Sequence, residues 1–173
     1  MLSLSDNEFS VINFLVRNFT ERLTIRSIAQ RLSFSPAGVF NILKKLEKQD
    51  IVTGQKFGTG LFYSIKFENK VAEHLAAIVL VYSEEKYDKL TFEQLKQAKA
   101  VVFDKKSLLV VNDNITVSEI TIPNASVIIK TEEELNESFR KKDSDALQIL
   151  KKGIVLHGEE FVVNAIKNSM QRF

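Results

Sequence analysis

Two start signals for helices, Thr24 and Ser35, stand eleven residues apart, and the short break between the helices they open restricts the fold more than anything else in the chain. Thr24 precedes Ile25, Ile28, Ala29 and Leu32, which recur at intervals of three and four residues, so a short amphipathic helix with Thr24 as its cap is expected over 25–32. Ser33-Phe34-Ser35-Pro36 is a break and a restart. Ser35 stands where a cap is needed, and Pro36 takes the first helical position, where a missing amide hydrogen costs nothing. Val39, Leu43 and Leu46 then form the inward stripe of a helix reaching about Gln49, and its other face is polar.

The flanks complete the pattern. Ser5-Asp6-Asn7-Glu8 is a capping box, in which the Ser5 hydroxyl accepts the Glu8 amide hydrogen and the Glu8 carboxylate accepts that of Ser5. Phe9, Ile12, Leu15, Val16 and Phe19 continue from it at helical spacing through about Asn18. After Gln49 the period changes. Ile51-Val52-Thr53 and Leu61-Phe62-Tyr63-Ser64-Ile65 are strand-like runs separated by Gly54, Gly58 and Gly60, which predicts a hairpin with a glycine-rich tip. Three helices, the last two joined by a tight turn, followed by a two-stranded hairpin, make a winged helix-turn-helix. The segment TIRSIAQRLSFSPAGVFNILKKLEKQDIVTG resembles the core of winged-helix transcription regulators, and the resemblance extends over residues 5–66.

The resemblance implies that the third helix enters the major groove of double-stranded DNA. Ser35, Ala37, Gly38, Phe40, Asn41, Lys44 and Lys45 are its positions outside the inward stripe. Asn41 is suited to a bidentate contact with adenine and Phe40 to a thymine methyl, while Lys44 and Lys45, further along, suit phosphates. Arg26 and Arg31 on the second helix, with Lys56 and Thr59 on the wing, are further phosphate candidates. The wing tip Phe57-Gly58-Thr59-Gly60 carries no arginine, which argues against an arginine finger in the minor groove. A winged helix can also serve as a protein-contact module.

Charge supports a division of the chain. The whole carries 24 Lys+Arg against 22 Asp+Glu, net +2, which points to no particular partner. Residues 1–66 hold 9 against 5 and residues 67–173 hold 15 against 17, so the module suited to a polyanion is the first. The absence of cysteine excludes disulfides, thiolate metal sites and thiol nucleophiles, and is compatible with a cytoplasmic protein. Val71 to Tyr82 is interrupted by Glu73 and His74, and MLSLSDNEF has no basic segment ahead of a long apolar core, so neither a membrane span nor a signal peptide is expected.

The expected organisation is α+β: a winged helix over 1–67, a connecting helix over 68–90, and a small mixed α/β domain over 91–173. Asn69 can cap the connecting helix, whose Val71, Leu75, Ile78, Val79 and Tyr82 are apolar; Ala72, Ala76 and Ala77 would let another helix approach closely, which suggests a homodimer contact. Beyond it, a short helix over 91–99 precedes strands at Ala100-Val101-Val102-Phe103, Leu108-Leu109-Val110-Val111 and Ser126-Val127-Ile128-Ile129-Lys130. Thr131 caps a helix over 132–141. Asp143 or Ser144 caps another running to Lys152, Ile154-Val155-Leu156 is extended, and a last helix begins near Gly158.

The stretches KTEEEL and ALQILKKGIVLHGE resemble the end of a minimal nucleotidyltransferase domain, over roughly residues 98–165. Proteins that join a winged helix to such a domain are known mainly from archaea, and the resemblance implies that origin. That chemistry needs a Gly-Ser turn for nucleotide phosphates and an Asp-x-Asp pair for divalent metal. Neither stands where it should: AVVFDKKSLLVV runs straight into Asn112-Asp113, and Asp143-Ser144-Asp145 reads better as a helix cap. Neither His74 nor His157 has a second ligand nearby in sequence. The resemblance thus implies a truncated, catalytically inactive relic with no catalytic residue, metal or cofactor. The sequence therefore reads as a sequence-specific DNA-binding transcriptional regulator. The competing readings are a divergent nucleotidyltransferase using Asp104, Asp113 and Glu119, and an interaction partner of a toxin-like enzyme.

Overall fold

The structure, a computed structural model, describes residues 3–82, 95, 97–114, 125–142 and 144–170. The chain divides into two compact units, Met1–Val79 and Leu80–Phe173. Together they are α+β, a helix-turn-helix with wing strands and then a mixed α/β unit.

In the first unit the elements are α1 (Asp6–Arg17), α2 (Ile25–Leu32), α3 (Pro36–Lys48), β1 (Val52–Phe57) and β2 (Gly60–Ile65), followed by α4 (Lys70–Val81). Each of the three first helices starts on its expected cap. Ser5 Oγ accepts the Glu8 amide at 3.3 Å while Glu8 Oε2 accepts the Ser5 amide at 2.9 Å. Thr24 Oγ1 accepts the Ser27 amide at 3.2 Å, and Ser35 Oγ accepts that of Gly38 at 3.0 Å. Ser33 turns the chain out of α2 in the left-handed region, φ 57°. The apolar stripes meet in one core of Val11, Ile12, Leu15 and Val16 from α1, Ile28 and Ala29 from α2, and Val39, Leu43 and Leu46 from α3. Burying each such side chain contributes about 1.5–3 kcal/mol, which is why these stripes settle the arrangement of the helices.

The wing is antiparallel, with Val52 opposite Ile65 and Phe57 opposite Gly60. It is anchored twice. The Tyr63 amide donates to the Leu23 carbonyl at 2.8 Å, adding a one-residue bridge to the hairpin. The Gly54 amide donates to Glu47 Oε1 at 3.2 Å, tying the wing to the end of α3. Tyr63 is buried, and this burial, together with the Glu47 charge, holds its hydroxyl above the ordinary tyrosine range.

Asn69 Oδ1 accepts the Val71 amide at 2.8 Å at the start of α4, as its position in the sequence leads one to expect. The small-residue face lies the other way from the expectation. Ala72 and Ala76 are fully buried, whereas Val71 and Ile78, seven residues apart and so on one face, are 46% and 50% exposed. Because α4 is apolar on most sides, periodicity could not say which side turns inward. Nη2 of the buried Arg17 donates to the Val79 carbonyl at 3.3 Å, satisfying a C-terminal carbonyl of α4 with a cation. The expected continuation of this helix to residue 90 lies outside the described residues.

The second unit contains β3 (Ala100–Phe103), β4 (Ser107–Val111), β5 (Ser126–Lys130), α5 (Glu132–Lys141), α6 (Ser144–Lys152), β6 (Ile154–His157) and α7 (Glu159–Met170). The sheet order is β5-β4-β3-β6, with β4 parallel to β5 and β3 antiparallel to both its neighbours. Alternate residues serve two apolar faces: on one, Val101, Leu108 and Val110 pack with Leu95 and Ala98, with Phe103, Val127, Ile129 and Leu156 against that cluster, and the intervening Ala100, Val102, Leu109 and Val111 are buried as well. Leu135, Phe139, Leu150, Val162 and Ile166 of the three helices are buried. Gly158 has φ +76° and lies so close to Lys99 that a Cβ would sit 2.0 Å from the Lys99 carbonyl oxygen, so no other residue fits where α7 begins. The helix expected over 91–99 falls outside the described residues except for Leu95 and 97–99. Among the described residues no helix is long and apolar enough to cross a membrane.

Candidate nucleic-acid interface

A helix whose inward positions are taken by Val39, Leu43 and Leu46 must present the positions between them outward. Ser35, Ala37, Phe40, Asn41, Lys44 and Lys45 are all exposed, and Gly38 is half-buried. Phe40, a large apolar side chain, is 47% exposed. Lys44 Nζ lies 5.9 Å from the centre of its ring, the expected neighbour one helical turn on. The Ser35 hydroxyl oxygen accepts the Gly38 amide, which leaves its own hydrogen to donate.

The cations differ in what else holds them. Lys45 is paired within the fold: its Nζ is 2.6 Å from Oε1 of Glu8, whose side chain is nearly buried on α1. Burial alone would raise the Glu8 carboxyl, but the hydrogen bond and charge of Lys45 and the Ser5 amide outweigh it and hold the group below the ordinary carboxylate value. Arg31 is held likewise. Its Nη1 pairs with Glu21, its Nη2 donates to Asn18 Oδ1 at 2.7 Å, and its guanidinium lies 4.6 Å from the centre of the Phe14 ring. Both therefore brace α1 against the helix-turn-helix.

Arg26, Lys44, Lys48 and Lys56 are exposed and, among the described residues, have no carboxylate partner. Arg22, in the turn after α1, is exposed and also lacks one. Arg22 and Lys48 were missed by sequence reasoning. Lys48 follows Lys44 by one helical turn, a spacing that could have identified it; nothing local singles out Arg22. Thr59 lies exposed at the wing tip.

The second unit uses its charges differently. Lys99 Nζ lies 2.5 Å from Asp113 Oδ2 and 2.6 Å from Glu132 Oε2, and Asp113 Oδ1 accepts the Glu132 amide at 3.1 Å, closing the start of α5 against the sheet. Hydrogen bonds from Lys99 and the Glu132 amide hold the Asp113 carboxyl below its ordinary value. Of the acidic set Asp104, Asp113 and Glu119, the two described members, Asp104 and Asp113, do not come together. Asp104 precedes β4 and accepts the amides of Lys106 and Ser107 at 3.2 and 2.7 Å, whereas Asp113 follows the other end of the same five-residue strand. Glu119 and Asp143 lie outside the described residues. Among the described residues no three His, Cys, Asp or Glu side chains are grouped to hold a metal.

Residues 2–58 match the model of the MarR family. The match covers the N-terminal third of the chain, from α1 into the wing, and this region, a helix-turn-helix followed by wing strands, is similar to the domains of that family. No curated protein matches the chain.

Proposed function

We propose that this MarR-type domain makes the chain a sequence-specific, double-stranded-DNA-binding transcriptional regulator that acts as a cytoplasmic homodimer. The observation that carries the reading is the outward face of α3, where Phe40 and Asn41 stand exposed beside Lys44 and Lys48, whose charges nothing described in the fold neutralises. Asn41 reads adenine and Phe40 a thymine methyl, with Ser35, Ala37 and Gly38 close to the groove floor. Lys44, Lys48, Arg26, Lys56 and Thr59 meet the backbone. Lys45 and Arg31 contribute less than their positions suggest, because binding a phosphate competes with Glu8 and Glu21.

The exposed side of α4, with Val71 and Ile78, supports the dimer. The second unit serves the regulator without catalysis, as a relic resembling a nucleotidyltransferase of archaeal type; its Asp104 and Asp113 are engaged in turn and cap contacts at opposite ends of β4. Selection of bound genomic fragments followed by titration tests the whole reading. Asn41→Ala should relax base preference at one position, and Lys44→Ala should weaken all duplexes alike. A chain that binds no selected duplex more tightly than random DNA would refute it.

A further inference from the structure

The wing tip carries no arginine of its own, yet one is delivered to it from elsewhere in the chain. Leu23 bridges Tyr63 with both side chains buried, so Arg22, the preceding residue, projects from the opposite, outer face of the hairpin. Phe57 and Phe62 belong to that same face. The Arg22 guanidinium lies 5.2 Å from the centre of the Phe57 ring and 6.0 Å from that of Phe62, and the two rings stand 6.2 Å apart, inclined at 51°. Gly60 makes room for this arrangement, since a Cβ there would come within 2.6 Å of the Phe62 ring. Phe57 remains 50% exposed, so the platform is an outer surface.

A guanidinium held over a ring keeps its N–H donors in its own plane, free to meet acceptors at the edge. Arg22 has no carboxylate partner among the described residues, and the rings restrict its side chain before any ligand arrives. On the other face of the hairpin, Lys56 stands opposite Leu61 and likewise has no carboxylate partner among the described residues. The tip is thus flanked by one cation on each face.

We propose that Arg22, positioned by Phe57 and Phe62, is the arginine with which the wing engages the DNA backbone bordering the minor groove beside the site of α3. The inference rests on the duplex-binding reading above and adds a contact that reading does not contain. The test titrates the full-length chain with a selected duplex that extends past the α3 footprint, at several salt concentrations. Arg22→Ala should weaken binding about five- to tenfold and lower the magnitude of the log–log salt slope by about one. Phe57→Ala should reproduce part of the loss, and adding it to Arg22→Ala should cost nothing more. Trimming the duplex to the α3 footprint should abolish the difference between Arg22→Ala and the unaltered protein. Thermal unfolding, expected to be unchanged for this exposed residue, separates a lost contact from a lost fold. If the unaltered chain binds the long duplex and Lys44→Ala weakens it, but Arg22→Ala binds with undiminished affinity and slope, the inference is wrong while the regulator reading stands. If the unaltered chain binds no duplex, both fall.

Discussion

Lys44 on α3 and Lys99 before β3 are the same residue type on chemically opposite surfaces. Lys99 is met by two carboxylates, Asp113 and Glu132, and the three groups close the junction of a strand and a helix. Lys44 meets only the ring of Phe40, one turn back on its own helix, and among the described residues no acid approaches it. Charge available to a polyanion is therefore set by geometry rather than by count. The first unit repeats the lesson internally: Arg31 and Lys45 are consumed by Glu21 and Glu8, and Arg22, Arg26, Lys44, Lys48 and Lys56 are left over.

The harshest way to break this contrast is charge reversal. Lys44→Glu with Lys48→Glu should weaken duplex binding more than about 100-fold at moderate salt, since two proposed phosphate contacts would become repulsions. Lys99→Glu should leave affinity unchanged. Equal losses in both variants, measured by fluorescence anisotropy, would erase the distinction between the two surfaces.

Glu8 sharpens it next. Glu8→Ala removes a capping-box member and the partner of Lys45, so denaturant unfolding should show a loss of about 1 kcal/mol. Freed from its partner, Lys45 should then strengthen DNA binding by about twofold. Stability and affinity moving in opposite directions is the signature of a cation withheld from the ligand by the fold.

The two arginines of α2 offer a finer comparison. Arg26→Ala should weaken binding about threefold with no change in melting temperature. Arg31→Ala should lower the melting temperature and barely alter affinity, because the side chain is engaged by Glu21, Asn18 and Phe14.

Much of this was legible in the sequence, and the part that was not has a common cause. Ser5, Thr24, Ser35 and Thr131 act within three residues of themselves, so local spacing identified every one of these caps. Val39, Leu43 and Leu46 defined the outward face of α3 by period alone. The pairing of Lys45 with Glu8 depends on how α3 crosses α1, and the seating of Arg22 on Phe57 on how a turn meets a hairpin. Such contacts join residues far apart in the chain, and no periodicity encodes them. The inward side of α4 escaped for a different reason, since a helix apolar on most sides carries little directional information.

The smallest expected effect is with pH. Glu8 and Asp113 both have carboxyls held below their ordinary values, so over that interval the unfolded chain binds more protons than the native one. Their contribution is present above the ordinary carboxylate range, about 4.5 for Glu8, and is lost as pH falls through the lowered native values. Glu8→Gln should flatten the acid limb of a stability-against-pH profile, and Lys99→Met should flatten the share due to Asp113.

The central claim, that unpaired cations around α3 hold duplex DNA while paired ones hold the fold, is tested most directly by the salt dependence of affinity in three proteins. The unaltered chain should give a log–log slope of about −3 to −5 per protomer; Lys44→Ala should reduce its magnitude by about one, and Lys45→Ala should leave it nearly unchanged. Equal reductions in the two variants, or an affinity indifferent to salt, would contradict the account.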